Sequence, residues 1–297
     1  MTIPPEQRMN SGPYSGQSVI AQKRDLTAQF RKAGLETADL DARLLIMAAT
    51  GLSHTDIIMR ADEILQTETQ YLIAQYAKRR LAGEPIDHIL GYREFYGREF
   101  EVNKDVLSPR PETEMLVDAA LEILKDKPDA RILDLGTGSG AIIISILAEA
   151  QQVQGIAVDM SAAALSVARE NAKTHKVNER LSLLEGSWFG PAEGRFDIIL
   201  SNPPYITDTA MGELSIEVSE FDPDLALRAG EDGLIAYHAI ISEASNYLIP
   251  GGTLLFEIGY DQGRSVSQLL ENHHFTSISI VKDLSGHDRM IKAAYTS

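Results

Sequence analysis

The chain has 297 residues, of which 44% are hydrophobic and 24% charged, and these proportions are those of an ordinary folded protein. Its 43 acidic and 27 basic side chains give a net charge of −16, which argues against a broad surface that binds a phosphate backbone. It contains no cysteine, no membrane-length apolar run and no secretory signal pattern, so disulfides and thiolate chemistry are excluded and a cytoplasmic location is expected.

Residues 1–17 are rich in proline, glycine and serine and are predicted to form a disordered tail. Residues 18–88 have helical periodicity and predict a small helical domain. The first convincing helix is expected to pack inwards through four apolar residues, Leu40, Leu44, Leu45 and Ala48. A second helix is predicted over TETQYLIAQYAKRRLAG, which has an acid at its start, bases near its end and Gly83 just beyond.

Residues 89–108 change in character, because aromatic and β-branched residues around Gly97 predict a β-hairpin linker. The next segment, PRPETEMLVDAALEILKDKPD, predicts a helix that Pro111 opens and that ends before Pro128. Residues 109–297 are assigned to one larger domain.

In that domain, strands and helices alternate. Strands are predicted over ARILDL, GIAVD, LSLLEG, FDIILS and TLLFEI and near 276–282 and 289–295, with helices over SGAIIISILAEAQ and SAAALSVARENAKTH and near 233–248 and 261–272. Such alternation predicts a mostly parallel α/β sheet with helices on both faces, in which ligands bind beyond the carboxyl ends of the strands.

A glycine-rich turn, DLGTGSGA, joins the first of these strands to its helix. Gly136, Gly138 and Gly140 permit a tight turn and a close approach of the backbone to a ligand. Asp159 closes the next strand and can accept both ribose hydroxyls of an adenine nucleoside. Asp134 closes the first strand, where it would repel a pyrophosphate and suits a cationic ligand such as S-adenosylmethionine. The alternative is that Asp134 only caps the helix or the turn.

The segment GSWF follows the third strand and holds the only tryptophan of the chain. At this edge of the sheet, Trp188 can flank an adenine ring. The alternative is that Trp188 packs in the hydrophobic core.

The fourth strand ends in SNPPY, whose two prolines stiffen the chain and leave carbonyl groups free. In a methyltransferase site this motif has a chemical purpose, because the lone pair of an amide or aromatic amine nitrogen is delocalised and attacks poorly. The Asn202 side-chain oxygen and the Pro203 carbonyl can each accept one N–H, which favours tetrahedral geometry as positive charge develops. Tyr205 or the proline faces can hold the planar group by stacking.

Together LGTGSGA, the VD of Asp159, SWF and SNPPYI resemble the N5-glutamine methyltransferases of peptide-chain release factors, the PrmC/HemK family. The same holds for EPIDHILGYREFYG, VLSPRPETE, EDGLIAYHAII, LIPGGTLLFEIGYDQG and KDLSGHDRM, in order from about residue 84 to 295. The resemblance implies a class I S-adenosylmethionine-dependent methyltransferase, with a Rossmann-like, mostly parallel seven-stranded sheet. Its helical N-terminal domain, by position residues 18–88, is expected to recognise the substrate.

The resemblance further implies transfer from S-adenosyl-L-methionine to the glutamine of the release factor's Gly-Gly-Gln loop, leaving S-adenosyl-L-homocysteine and using no metal. The predicted donor contacts are Asp134, Gly136, Thr137, Gly138, Ser139, Gly140, Asp159, Trp188, Phe189 and Asn202. The predicted substrate contacts are Asn202, Pro203, Pro204, Tyr205, Arg110 and Glu112, of which Asn202, Pro203 and Tyr205 are the predicted catalytic residues. The chain departs from the usual family pattern at His88, Ser108, Phe221 and Asp222.

Class I release factors are the expected partner, met by a monomer without nucleic acid or membrane. The alternative function is an amino-methyltransferase of adenine or another base in DNA or RNA, since such enzymes share N-P-P-Y. The acidic charge and the lack of a separate target-reading domain favour the protein substrate. A third hypothesis is a donor-binding protein without catalysis, against which the intact Asn202 and Pro203 argue.

Glu257, at the same sheet edge, is expected to orient a loop, and the seven histidines show no metal-ligand spacing.

Overall fold

The computed structural model describes residues 16–296, so the predicted disordered tail, residues 1–17, lies outside the described residues except for its last two. The chain divides into two compact units, one ending at Leu90 and the other beginning at Gly91. No helix in the described part is long and apolar enough to span a membrane.

The first unit is helical, as residues 18–88 predict. Its described helices are α1 (Val19–Lys32), α2 (Ala38–Thr50), α3 (His54–Met59), α4 (Thr67–Leu81) and α5 (Ile86–Leu90). Helix α4 has Glu68 in its first turn and three bases in its last, which complements the helix dipole. Helix α5 includes Ile89 and Leu90. The hairpin segment therefore begins at Gly91, two residues after the predicted start at residue 89.

The inward face of α2 differs from the prediction. Leu40 is 41% exposed and Ala48 is also exposed, whereas Ala42, Leu45 and Ile46 are fully buried. The buried stripe therefore starts two residues earlier than the leucine spacing suggests, at Ala38, and shares only Leu45 with the predicted set. An ion pair stabilises the same core, with Arg80 Nε 2.7 Å from Asp41 Oδ2 and both side chains almost completely buried.

The second unit opens with the predicted hairpin and continues as alternating strands and helices. The strands are β1 (Tyr92–Phe95), β2 (Arg98–Glu101), β3 (Arg131–Leu135), β4 (Gln154–Asp159), β5 (Leu181–Glu185), β6 (Phe196–Ser201), β7 (Leu248–Glu257), β8 (Thr276–Lys282) and β9 (Asp288–Ala294). The helices are α6 (Glu114–Leu124), α7 (Ala141–Glu149), α8 (Ala162–Thr174), α9 (Ile216–Phe221), α10 (Asp224–Leu227), α11 (Ile235–Tyr247) and α12 (Gly263–Asn272).

Seven strands form one sheet in the order β5-β4-β3-β6-β7-β9-β8. Strands β3 to β7 are parallel, whereas β9 pairs antiparallel with both β7 and β8. The mostly parallel sheet is thus confirmed. The order reverses between β3 and β6, and an open α/β sheet binds its ligand at the carboxyl ends of the strands beside such a reversal.

Helices cover both faces of this sheet. Helices α6 and α7 pack over one face against Ile132 and Ile198, and α11 and α12 pack over the other against Leu133 and Ile199. Alternate residues of β3 and β6 therefore enter opposite cores, which explains why both strands are apolar throughout.

Two local predictions need correction. Pro111 opens a short 3₁₀ turn, Pro111–Thr113, and the α-helix itself begins at Glu114. Helices α9 and α10, of six and four residues, were not predicted. Helices this short carry too few apolar repeats to be recognised from periodicity.

Candidate active site

A cavity of about 220 Å³ lies at the carboxyl ends of β3, β4 and β6. The fold brings residues from distant parts of the second unit to it, including most of those predicted to contact donor or substrate. The predicted residues that line it are Arg110, Gly136, Thr137, Gly138, Ser139, Asp159, Trp188, Asn202 and Pro204.

The glycine turn joins the ends of β3 and β4. The backbone N–H groups of Gly136 and Thr137 both donate to the Val158 carbonyl, at 2.9 and 3.1 Å. Gly138 has φ +56°, and a Cβ added there would meet no protein atom within 4 Å. Because Gly138 lines the cavity, its missing side chain leaves room for a ligand to approach the backbone.

Gly140 has a different purpose and does not line the cavity. Its φ is +79°, and a Cβ there would lie 2.7 Å from Ile144 Cδ1. A Cβ there would also lie 3.3 Å from Ala168 Cβ, so the missing side chain serves the packing of α7 beside α8.

Asp159 is fixed by two backbone donors. Its Oδ2 accepts from the Gly138 N–H at 2.8 Å and its Oδ1 from the Ser161 N–H at 2.9 Å. These bonds tie the glycine turn to the start of α8 and hold the carboxylate at the cavity wall. Each oxygen keeps a further lone pair, so a ribose hydroxyl remains a possible additional donor.

Asp134 is completely buried and lies behind the cavity wall. The Thr137 hydroxyl donates to its Oδ2 at 2.6 Å, while no group among the described residues bonds to Oδ1. Burial raises the pKa of Asp134 to about 7, and the nearby charge of Asp159 adds to this, whereas the Thr137 bond opposes it. Asp134 therefore does not contact the cavity but places an under-compensated carboxyl group directly behind it.

The two aromatic residues of SWF separate. Trp188 lines the cavity and adopts φ 45°, a left-handed conformation that is costly for a bulky residue. Phe189 is buried in the core, where its ring stacks on Tyr247 with centroids 4.5 Å apart. The structure thus brings Trp188 to the predicted donor site and does not bring Phe189 there.

The NPPY segment leaves β6 beside the glycine turn. Asn202 and Pro204 line the cavity, while Pro203 is buried and Tyr205 packs against the core of α11 and α12. Within residues 16–296, neither Asn202 Oδ1 nor the Pro203 carbonyl accepts a hydrogen bond. Burial, together with the charge of Glu257, raises the pKa of Tyr205 to about 12, so its hydroxyl stays protonated at neutral pH.

The RPET segment, residues 110–113, reaches the cavity through Arg110 and Thr113. Glu112 is exposed and does not line the cavity. Arg110 Nη2 lies 3.2 Å from Oδ2 of Asp222, a residue that departs from the family pattern. The pair joins this segment to the residue that follows α9, and the next helix, α10, carries Leu225 and Ala226, which also line the cavity.

Sequence reasoning missed several residues that line the cavity, among them Leu225, Ala226 and Met160. The loop and short helices that carry the first two have no periodic signal, and Met160 merely follows Asp159. No cluster of three or more histidine, aspartate or glutamate side chains in residues 16–296 could hold a metal ion.

Two regions match described families. Residues 23–91 match the family described as "PrmC N-terminal domain", and residues 113–218 match "Methyltransferase small domain".

Whole-chain relatives are also found. The chain is 42% identical over 281 residues to "Release factor glutamine methyltransferase" of Agrobacterium fabrum, an alignment that covers 93% of this chain and 96% of that protein. It is 44% identical over 270 residues to the protein of the same description from Cereibacter sphaeroides, covering 91% and 96%.

A solved structure with a similar fold is the hMettl16 catalytic domain in complex with MAT2A 3'UTR hairpin 6. It aligns with a TM-score of 0.57 at 14% identity, over 74% of this chain and 81% of that one. At this identity the likeness concerns the fold alone.

Proposed function

The chain belongs to the release factor glutamine methyltransferase family, and from that premise we propose that it methylates the glutamine side-chain amide in the Gly-Gly-Gln motif of class I release factors. The methyl donor is S-adenosyl-L-methionine. The observation that carries the proposal is that Asn202 of N-P-P-Y lines the same cavity as Gly138 and Asp159. A captured amide nitrogen and a donor at the glycine turn can therefore meet.

The residues at the glycine turn fit this donor. Gly138 leaves open space at its Cα, Asp159 offers acceptors for a ribose, and Trp188 offers an aromatic face. Asp134 has a buried oxygen without a partner in the described residues, and its charge favours a cationic ligand in front of Thr137. When bound, the donor supplies a methyl group made electrophilic by its positively charged sulfur.

Asn202 and Pro203 supply the acceptors that the substrate amide requires. One N–H of the glutamine amide donates to Asn202 Oδ1 and the other to the Pro203 carbonyl, both of which are unused by the described part of the protein. These bonds draw the nitrogen towards tetrahedral geometry and stabilise the positive charge that develops on it. Alignment of the nitrogen with the methyl group supplies most of the acceleration, since effective molarities can reach about 10⁵–10⁸ M.

The protonated Tyr205 acts through its ring and its place in the fold. With a pKa of about 12 its hydroxyl does not serve as a base near neutral pH. No strong base is needed, because the proton leaves only after the nitrogen has become cationic.

The partner proposals rest on charge and position. We assign recognition of the release factor to the helical unit that ends at Leu90 and propose that one copy of the chain meets one release factor. The net charge of −16 complements a basic partner and disfavours direct contact with nucleic acid. A cytoplasmic location stays a prediction.

The test is methyl transfer by the purified chain with labelled S-adenosylmethionine. We expect label on a class I release factor and none on a variant whose loop glutamine is replaced by alanine. Label on adenine-containing DNA or RNA would support the base-methylating alternative, and donor binding without any transfer would support the non-catalytic one.

A further inference from the structure

Three side chains connect the end of β7 to the end of β6. Because Ser201 pairs with Phe256 in the parallel register, the next residues, Asn202 and Glu257, lie side by side. Thr113 fills the space between them: its hydroxyl donates to Glu257 Oε2 at 2.5 Å, and Asn202 Nδ2 lies 3.4 Å from the same hydroxyl oxygen. Glu257 and Thr113 are only 3% and 4% exposed.

Hydrogen-bond chemistry fixes which group donates in the series Glu257–Thr113–Asn202. An ionised carboxylate can only accept, so Thr113 must spend its one proton on Glu257. The Thr113 oxygen is then an acceptor towards Asn202, and only the NH₂ end of the amide can satisfy it. The opposite end of the amide, Oδ1, accepts no hydrogen bond from the described part of the chain.

We propose that Glu257, acting through Thr113, is a positioning residue that selects the orientation of the Asn202 amide in which Oδ1 is presented to the substrate. The inference rests on the proposed function, since it specifies how the acceptor for the substrate amide is oriented. Without a carboxylate at position 257, the Thr113 hydroxyl can either accept from the NH₂ end of the Asn202 amide or donate to its oxygen. Asn202 then divides its time between two orientations, one of which offers N–H groups to an N–H substrate.

The direction of these hydrogen bonds depends on the protonation of Glu257. Burial raises the pKa of Glu257 to about 7, while the Thr113 bond lowers it. The titratable or charged groups that face it from the surrounding elements are Glu112 on the 3₁₀ turn, Tyr205 after β6, Tyr237 on α11 and Arg289 on β9. A protonated Glu257 can donate to Thr113, which frees the Thr113 proton for Asn202 Oδ1 and occupies the acceptor that the substrate needs.

The kinetic test measures single-turnover methyl transfer to release factor from pH 5.5 to 9 with saturating donor. Saturation removes any effect of Asp134 titration on donor binding. In the unchanged protein we expect the rate to fall about tenfold per pH unit below about pH 7. Glu257→Gln should lose about tenfold at pH 8.5 and no longer show this acid limb, with donor affinity unchanged within twofold.

Thr113 provides a second, independent pair of variants. Thr113→Val should reproduce the loss of rate and the flat pH profile. Thr113→Ser, which keeps the hydroxyl, should recover both the rate and the acid limb. Thr27→Val is the matched control, because Thr27 is buried in α1 and its hydroxyl has no partner in residues 16–296. An unaltered acid limb in Glu257→Gln, or a Thr113→Val rate within twofold of the unchanged protein, overturns the inference.

A measurement without substrate separates this inference from the proposed function. The side-chain ¹⁵N–¹H signals of Asn202, identified by their absence in Asn202→Ala, should shift with a midpoint near pH 7, and Thr113→Val should abolish the shift. If the chain fails to methylate release factor, the proposed function is wrong, and the Asn202 titration still decides whether Glu257 orients the amide. A signal that ignores pH in the unchanged protein overturns the inference.

Discussion

Replacing Asp134 with asparagine is expected to stabilise the donor-free protein at pH 8 and to weaken its binding of S-adenosylmethionine. Asp134 is completely buried, and burial raises its pKa from 3.8 to about 7. A group whose pKa is raised on folding contributes stability below its unfolded pKa, and this contribution is lost as the pH rises through the folded value. Above about pH 7 the folded protein therefore carries the full cost of a buried charge.

The size of that cost follows from the pKa. At about 1.4 kcal/mol per pKa unit, a rise from 3.8 to about 7 corresponds to about 4 kcal/mol. Asparagine keeps an oxygen for the Thr137 hydroxyl but leaves an NH₂ group where Oδ1 has no partner in the described residues, at a cost of about 1–3 kcal/mol. The net gain at pH 8 is then about 1–3 kcal/mol, and it disappears or reverses near pH 4.

The measurement is urea unfolding of both proteins between pH 4.5 and 8, with donor affinity measured by calorimetry at pH 8. The difference in unfolding free energy should change in favour of Asp134→Asn across this range by about 3 kcal/mol. Asp126→Asn, at an exposed aspartate, is the matched control and should show no such trend. A pH-independent difference, or donor affinity equal to that of the unchanged protein, would refute the reasoning.

Three further predictions concern single sites. Asn202→Ala should lower methyl transfer at least about a hundredfold while donor affinity changes less than about threefold, because it removes a transition-state acceptor; equal losses in both would contradict this. Gly138→Ala should weaken donor binding about tenfold or more, since φ +56° is strained and the added Cβ enters the cavity; unchanged calorimetric affinity would contradict it. Asp41→Asn should destabilise the protein by about 2 kcal/mol in urea, because it removes the buried carboxylate that accepts from Arg80 Nε at 2.7 Å; a loss under about 0.5 kcal/mol would count against that.

Much of the fold of the second unit could be predicted because the sequence signals for its strands and helices are local. Strand β6 occupies Phe196–Ser201, the residues that the apolar run FDIILS indicates, and β3, β4 and β5 match within one residue. Side-chain period, turn glycines and the prolines after β6 act over a few residues each. These local signals also predict which strand ends share an edge, and therefore that Gly138, Asp159 and Asn202 meet.

Other features depend on which distant segments pack together, and the sequence alone does not determine them. Neighbouring aromatic residues of SWF diverge, because the left-handed backbone at Trp188 directs Phe189 onto Tyr247, far along the chain. Leu40 is exposed because the first unit packs on a different stripe of α2.

The sequence by itself therefore determined the strand-and-helix alternation, the glycine turn and the motif that carries the amide acceptors. Only the tertiary structure decided that Asp134 is buried behind the cavity wall. The tertiary structure also decided that Glu257 reaches Asn202 through Thr113, although Thr113 and Glu257 are 144 residues apart in the sequence. The physical reason is that backbone conformation is set largely by near neighbours. Burial, and with it the pKa of a carboxyl group and the direction of a hydrogen bond, is set by whatever the fold packs against the side chain.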